Sequence, residues 1–106
     1  MYQNLVRVAA AVPLVKVADC KENSERILGL IRQADSAGVE IVCFPELSVT
    51  AYTCADLFLK SSFVAEAERA LAFLLSQTED LNIVSIVGLP VAADNRLFNC
   101  AVAFQR

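Results

Sequence analysis

The 106-residue sequence contains no histidine, and its four cysteines form no CxxC pair. Cys20, Cys43, Cys54 and Cys100 are spread along the chain, which supports neither a zinc site nor a redox motif. We therefore expect no bound metal in this segment. We expect the cysteines to be free and mostly buried thiols, as unpaired cysteines usually are.

Long hydrophobic runs and basic clusters are also absent. The apolar stretch at residues 5–18 is interrupted by Arg7, Pro13 and Lys16, and it is shorter than the roughly 20 residues that a membrane-spanning helix needs. No basic residue precedes it as in a secretory signal peptide. With a net charge of −3 and scattered Lys and Arg, the chain offers no basic surface for phosphate backbones. We expect a cytoplasmic protein with neither a membrane nor a nucleic acid as partner.

The chain is nevertheless rich in apolar residues. They make up 57% of the sequence, and the mean hydropathy is +0.52, above the roughly 45 to 50% of an ordinary soluble domain. A chain of this length forms at most one domain with a modest core. Since no membrane span is present, we expect residues 1–106 to be the N-terminal portion of a longer α/β domain, or to pack against other chains.

Strand and helix patterns alternate along the sequence. The predicted strands lie near residues 6–12, 39–44, 83–88 and 97–104, and the predicted helices near 20–37 and 62–78. A strand, a helix and a strand within about 40 residues are typical of a crossover between parallel strands. The predicted fold class is α/β with a mixed, partly parallel sheet.

Several residues indicate where these elements begin and end. Asp19 followed by Glu22 has the form of a helix start, and Ser61 or Ser62 is available to cap the second helix. Gly88 and Pro90 are expected to break the third strand. The last run is apolar on both faces, so we expect a buried strand there.

A single carboxylate, Glu46, follows the second predicted strand. Pro45 ends that strand sharply and restricts the residue before it. In open parallel sheets, functional groups collect beyond the carboxyl ends of the strands. A glutamate held among Phe44, Leu47 and Tyr52 would be partly desolvated, which suits it to proton transfer near neutral pH. On spacing alone, a solvated loop carboxylate or a helix cap is the favoured interpretation, because one carboxylate without a visible partner is a weak signal.

The stretch "FPELSVTAY", residues 44–52, resembles the first catalytic signature of the nitrilase, or carbon-nitrogen hydrolase, superfamily. Asp19, Asn23, Ala34 and Gly38 are placed as in the first helix of that superfamily, while "IVGLP" and "LFNCAVAF" resemble its third and fourth strands. The continuation "AYTCADLFL" is similar to the form found in glutamine-dependent NAD synthetases. The resemblance covers nearly the whole chain, and it implies that the chain forms one side of an α-β-β-α sandwich.

The resemblance also implies roles for individual residues. Members use a Glu, Lys, Cys triad, in which Glu46 matches the general base that activates the cysteine. Tyr52 matches an aromatic residue that lines the amide-substrate pocket. The lysine and the nucleophilic cysteine belong to motifs beyond Arg106, and none of the four cysteines present fits that role. Ala51 and Ala55 replace glycines of the narrower pattern, so a positive φ there would strain the loop.

The function implied by the resemblance is that of a longer parent protein. Such a parent hydrolyses glutamine and passes the ammonia to an ATP-dependent amidation of deamido-NAD, with ATP and Mg expected outside this segment. We expect no cofactor in this segment, no activity from the segment alone, and a homo-oligomeric protein. Two alternatives are a stand-alone amidase or carbamoyl-amide hydrolase, and a non-catalytic interaction module with the nitrilase fold.

Overall fold

A computed structural model describes residues 5–51 and 60–106, which form a sheet and two helices. The elements are β1 (Val8–Ala10), α1 (Cys20–Ser36), β2 (Ile41–Cys43), α2 (Ser61–Gln77), β3 (Val84–Ala93) and β4 (Arg96–Phe104). The strand order is β1-β2-β3-β4, in which β1, β2 and β3 are parallel and β4 is antiparallel to β3. The predicted α/β class with a mixed, partly parallel sheet is confirmed.

The core lies between the two helices and one face of the sheet. Its fully buried side chains come from every layer and include Ile27, Ile31, Val42, Leu74, Val87 and Leu89. The three- and four-residue spacing of the apolar positions in α1 and α2 places them on the stripe that meets the sheet. Burial of each such side chain contributes about 1.5–3 kcal/mol to stability.

The opposite face of the sheet is not covered by any of the described residues. Because side chains alternate along a strand, Val8, Cys43 and Ala101 point away from the helices, and all three are exposed. One apolar face of the sheet is therefore open in the described part of the chain. The described residues supply one helix layer and one sheet layer, as on one side of an α-β-β-α sandwich.

The predicted end of the third strand at Gly88 and Pro90 is wrong, since β3 continues through both. The N–H groups of Phe44 and Val49 donate to the carbonyl oxygens of Ile86 and Gly88. The backbone N–H and C=O groups of Ile86 and Gly88 therefore point toward β2 and the turn that follows it. An N–H at position 90 would also point that way and not toward β4, so the proline leaves the hydrogen-bond ladder with β4 intact.

The prediction that the last strand is buried is also wrong. In this part of the chain β4 lies at the edge of the sheet, where Leu97 and Phe98 are exposed and Val102 is half-buried. Apolar composition alone does not bury a strand that extends beyond the helices. The turn before β4 consists of Asp94 and Asn95, both with positive φ (51° and 61°), as favoured in two-residue hairpins.

The two helices begin differently. Asp19 caps α1 as predicted, because its side chain accepts a hydrogen bond of 3.0 Å from the N–H of Glu22. In α2 the predicted serine cap is wrong: Lys60 occupies the N-cap position and makes no capping hydrogen bond, while Ser61 is already helical. Within the described ranges, neither helix is long and apolar enough to span a bilayer.

Candidate active site

The segment after β2 folds into a tight turn that carries Glu46. The N–H of Ser48 donates to the carbonyl oxygen of Pro45 at 3.2 Å, and that of Ala51 donates to the carbonyl oxygen of Leu47 at 2.8 Å. Leu47 has a φ of +52°, so the turn does not continue as a regular helix. Glu46 lies just beyond the carboxyl end of a parallel strand, where the sequence places it.

Gly88 of β3 forms the support of this turn. Its N–H donates to the Ser48 hydroxyl at 3.2 Å, and its carbonyl oxygen accepts from the N–H of Val49 at 3.1 Å. A β-carbon at position 88 would overlap the backbone nitrogen of Leu47 and lie 3.0 Å from the carbonyl oxygen of Pro45. The backbone of the turn thus packs directly on the backbone of β3. The sequence interpretation missed this role because it treated Gly88 as the end of a strand.

Asn23 of α1 holds the other side of the turn. The side chain is fully buried, and its Nδ2 group donates to the carbonyl oxygens of Lys16 at 2.8 Å and Val49 at 3.0 Å. Its Oδ1 accepts from the N–H of Lys16 at 2.7 Å. A signal was available in the sequence: Asn23 precedes Ile27 and Ile31 at four-residue spacing, and an amide on a buried stripe needs hydrogen-bond partners.

The Glu46 side chain itself is exposed. With Cys43, Gly88 and Asn99 it lines a cavity of about 290 Å³ on the uncovered face of the sheet. Within residues 5–51 and 60–106, its carboxylate makes no hydrogen bond or ion pair. Leu47 turns inward while Glu46 faces the open side, so Leu47 does not cover the carboxylate. The predicted partial desolvation also involves Tyr52, which lies outside the described residues.

A larger cavity, about 660 Å³, lies between the beginning of α1 and α2. Its lining mixes cations such as Lys16 and Arg69 with carboxylates such as Glu25 and Glu66. We assign the candidate site to the smaller cavity, because Glu46 lines it just beyond the carboxyl end of a parallel strand. Functional groups of open parallel sheets collect at that end of the strands. The larger volume of the other cavity does not by itself indicate a catalytic function.

Tyr52 of the predicted site and Ala55, which replaces a glycine of the family pattern, lie outside the described residues. Ala51 is described: it is buried and has a φ of +72°. The expected strain from replacing glycine therefore applies at this position, because a non-glycine residue in the left-handed region costs about 1–2 kcal/mol.

The described cysteines differ in their surroundings. Cys20 is buried, Cys100 is half-buried and Cys43 is exposed on the uncovered face. The expectation that the thiols are buried is therefore confirmed for Cys20 and wrong for Cys43. Cys54 lies outside the described residues. In the part of the chain that the structure describes, no group of three or more His, Cys, Asp or Glu side chains is arranged to hold a metal ion.

Sequence comparison with known proteins finds matches over nearly the whole chain. The family model for carbon-nitrogen hydrolases matches residues 5–106. The glutamine-dependent NAD(+) synthetase of Mycobacterium bovis is 33% identical over 106 residues, which span 99% of this chain and 16% of that protein. The chain thus spans about a sixth of the length of the curated relatives that it matches.

Solved structures show the same architecture. A glutamine-dependent NAD(+) synthetase from Cytophaga hutchinsonii superposes with a TM-score of 0.87 at 30% identity, covering 94% of this chain and 17% of that one. An amidase from Nesterenkonia sp. superposes with a TM-score of 0.81 at 19% identity, covering 94% of this chain and 38% of that one. The second likeness concerns the fold alone.

Proposed function

This chain belongs to the carbon-nitrogen hydrolase family, and on that premise we propose that it is the N-terminal portion of the glutamine-hydrolysing domain of a glutamine-dependent NAD synthetase. The relatives that cover nearly all of the chain carry that name. The stretch "YTCADLF" favours the same branch of the family. The observation that carries the proposal is the placement of Glu46 directly after a parallel strand, on a turn held by β3 and α1.

In this proposal Glu46 is the general base of a cysteine hydrolase. Its carboxylate takes the proton from a cysteine thiol supplied by a later part of the parent chain, since the thiolate is the reactive nucleophile. The sulfur then bonds to the side-chain amide carbon of glutamine. The carbon-nitrogen bond breaks, and the nitrogen leaves as ammonia with the proton returned by Glu46. Water hydrolyses the thioester, releasing glutamate and restoring the thiol.

The remaining parts of the proposal concern the parent protein. Tyr52 lines the glutamine pocket, and a lysine from a later motif completes the triad with Glu46 and the cysteine. A second domain binds ATP, Mg and deamido-NAD and uses the ammonia to form NAD. The parent is a cytoplasmic homo-oligomer. A chain limited to residues 1–106 releases no ammonia from glutamine, because a base without its nucleophile forms no covalent intermediate.

The test compares two nitrogen sources in the full-length parent. Glu46→Gln keeps the size of the side chain and removes its basicity, so NAD formation from glutamine should fall by at least about 100-fold, while NAD formation from an ammonium salt stays near the wild-type rate. Glu79→Gln, an exposed glutamate after α2, is the matched control and should change neither rate. Glutamine-supported turnover that survives in Glu46→Gln would refute the role of Glu46.

A stand-alone amidase is the second candidate, because the family that matches residues 5–106 is named for carbon-nitrogen hydrolysis and not for NAD synthesis. Such a parent would release ammonia from an amide through the same Glu46 chemistry but would form no NAD from either nitrogen source. If neither the wild-type protein nor Glu46→Gln hydrolysed an amide, a non-catalytic module with this fold would be the better description. Equal hydrolysis by both would instead refute the role of Glu46 as the base.

A further inference from the structure

The Asn23 amide is a buried polar group with nearly all of its hydrogen-bonding capacity in use. Its side chain is 0% exposed, and its two N–H donors both reach backbone carbonyl oxygens, those of Lys16 and Val49. The amide oxygen accepts from the N–H of Lys16. A helix side chain therefore joins two segments that lie 7 and 26 residues away in sequence.

These bonds reach the turn of the candidate active site. Val49 lies three residues after Glu46, and its N–H is held by Gly88 of β3 while its carbonyl oxygen is held by Asn23. One residue further, the carbonyl oxygen of Thr50 accepts from the N–H of Ala18 at 2.9 Å. The turn is thus fixed between β3 on one side and the segment before α1 on the other.

External restraint matters here because the turn is not a relaxed conformation. Leu47 and Ala51 both have positive φ, 52° and 72°, and such residues persist only where the surroundings hold them. Within the described ranges the Glu46 carboxylate makes no hydrogen bond or ion pair that would fix it. Its position therefore depends on the backbone beneath it.

We propose that Asn23 is a positioning residue for the glutamine reaction: by tying Lys16 to Val49 it holds the turn at the place from which Glu46 reaches the cysteine thiol. The inference rests on the proposed function of Glu46. A general base must come within about 2.6–3.2 Å of the atom whose proton it takes. A displacement of about 1 Å by a distant change lowers a rate by roughly 100-fold.

The test uses the full-length parent and the nearly isosteric change Asn23→Asp. Aspartate loses both N–H donors and places an acceptor group against two carbonyl oxygens, so the turn loses its tie to α1. We expect NAD formation from glutamine to fall by about 10- to 100-fold in kcat, with NAD formation from ammonium within about twofold of wild type. Asn82→Asp, the same chemical change at an exposed position, is the control and should alter neither rate.

A double variant separates positioning from folding. If Asn23 acts through Glu46, adding Asn23→Asp to Glu46→Gln should lower the residual glutamine-supported rate by no more than about twofold, since residues that act as a unit are not additive. A merely structural role would multiply the two losses and would also lower the ammonium-supported rate. Either result, or an unchanged glutamine-supported rate in Asn23→Asp, overturns the inference.

Asn23→Ser serves if the aspartate variant does not fold. Serine is too short to bridge Lys16 and Val49 at once, yet it buries no charge. We expect a loss of about 10-fold with glutamine and none with ammonium, in line with a partial displacement of the base. A wild-type rate with glutamine in Asn23→Ser overturns the inference. If Glu46→Gln leaves the glutamine reaction intact, both the proposed function and the inference about Asn23 are refuted. If Glu46→Gln abolishes the reaction but the Asn23 variants leave it intact, only the inference is refuted and the proposed function stands.

Discussion

The backbone of Leu47 rests on the α-carbon of Gly88 with no room for a side chain between them. This contact joins the turn that carries Glu46 to the middle of β3, and the hydrogen bond from the Gly88 N–H to the Ser48 hydroxyl reinforces it. Gly88 in β3 therefore fixes the position of the turn that carries Glu46 after β2.

Gly88→Ala should displace this turn. The methyl group would overlap backbone atoms, which cannot rotate away as a flexible side chain can, and we expect a loss of about 1–3 kcal/mol in the free energy of unfolding with a fall in glutamine-supported turnover. Gly29→Ala is the control: in α1 a β-carbon at position 29 meets no atom within 4 Å, so stability should rise by about 0.5–1 kcal/mol. Urea titration of both variants checks the opposite signs.

Ala51→Gly should stabilise the protein. Relief of the left-handed φ of +72° recovers about 1–2 kcal/mol, and the greater freedom of glycine in the unfolded chain removes about 0.4–1 kcal/mol of it. These two figures together give a net gain of up to about 1.6 kcal/mol. Ala72→Gly, at an exposed position of α2, should lower stability by about 0.5–1 kcal/mol. A loss of stability in Ala51→Gly would contradict the argument from strain.

Replacing each of two buried serines by alanine should change the stability of the protein in different ways. The Ser85 hydroxyl is buried and has no hydrogen-bond partner among the described residues, so Ser85→Ala should be neutral or should raise stability by up to about 1 kcal/mol. Ser48→Ala removes the acceptor of the buried Gly88 N–H and should cost about 1–3 kcal/mol. Equal effects in thermal unfolding would mean that Ser85 has a partner after all.

Lys60→Ser should strengthen the beginning of α2. Lys60 occupies the N-cap position with an extended backbone (φ −91°, ψ 122°) and no capping hydrogen bond. A serine hydroxyl there can accept from an N–H of the first turn, for a gain of about 0.5–1 kcal/mol. Lys21→Ser, inside the first turn of α1 where Asp19 already caps, should give no gain. Both variants are compared by the midpoint of thermal unfolding.

Much of this fold could be predicted because its signals are local. The stripe of Ile27 and Ile31 marks the buried side of α1, Asp19 with Glu22 marks its start, and Pro45 marks the end of β2. Each of these signals depends on a few neighbouring residues and on the geometry of one helix or strand. The position of Glu46 beyond a parallel strand followed from them, although its role remains a prediction.

Only the tertiary structure decided the rest, because the outcome depends on which neighbour a residue meets. Pro90 remains inside β3 because its missing N–H would have faced away from β4, and β4 is exposed because it lies beyond the helices, at the edge of the sheet in the described residues. Neither fact can be derived from the residue alone. Asn23 and Gly88 act on the turn of Glu46 through hydrogen bonds and close contact across 26 and about 40 positions of sequence, a distance over which composition and periodicity carry no information.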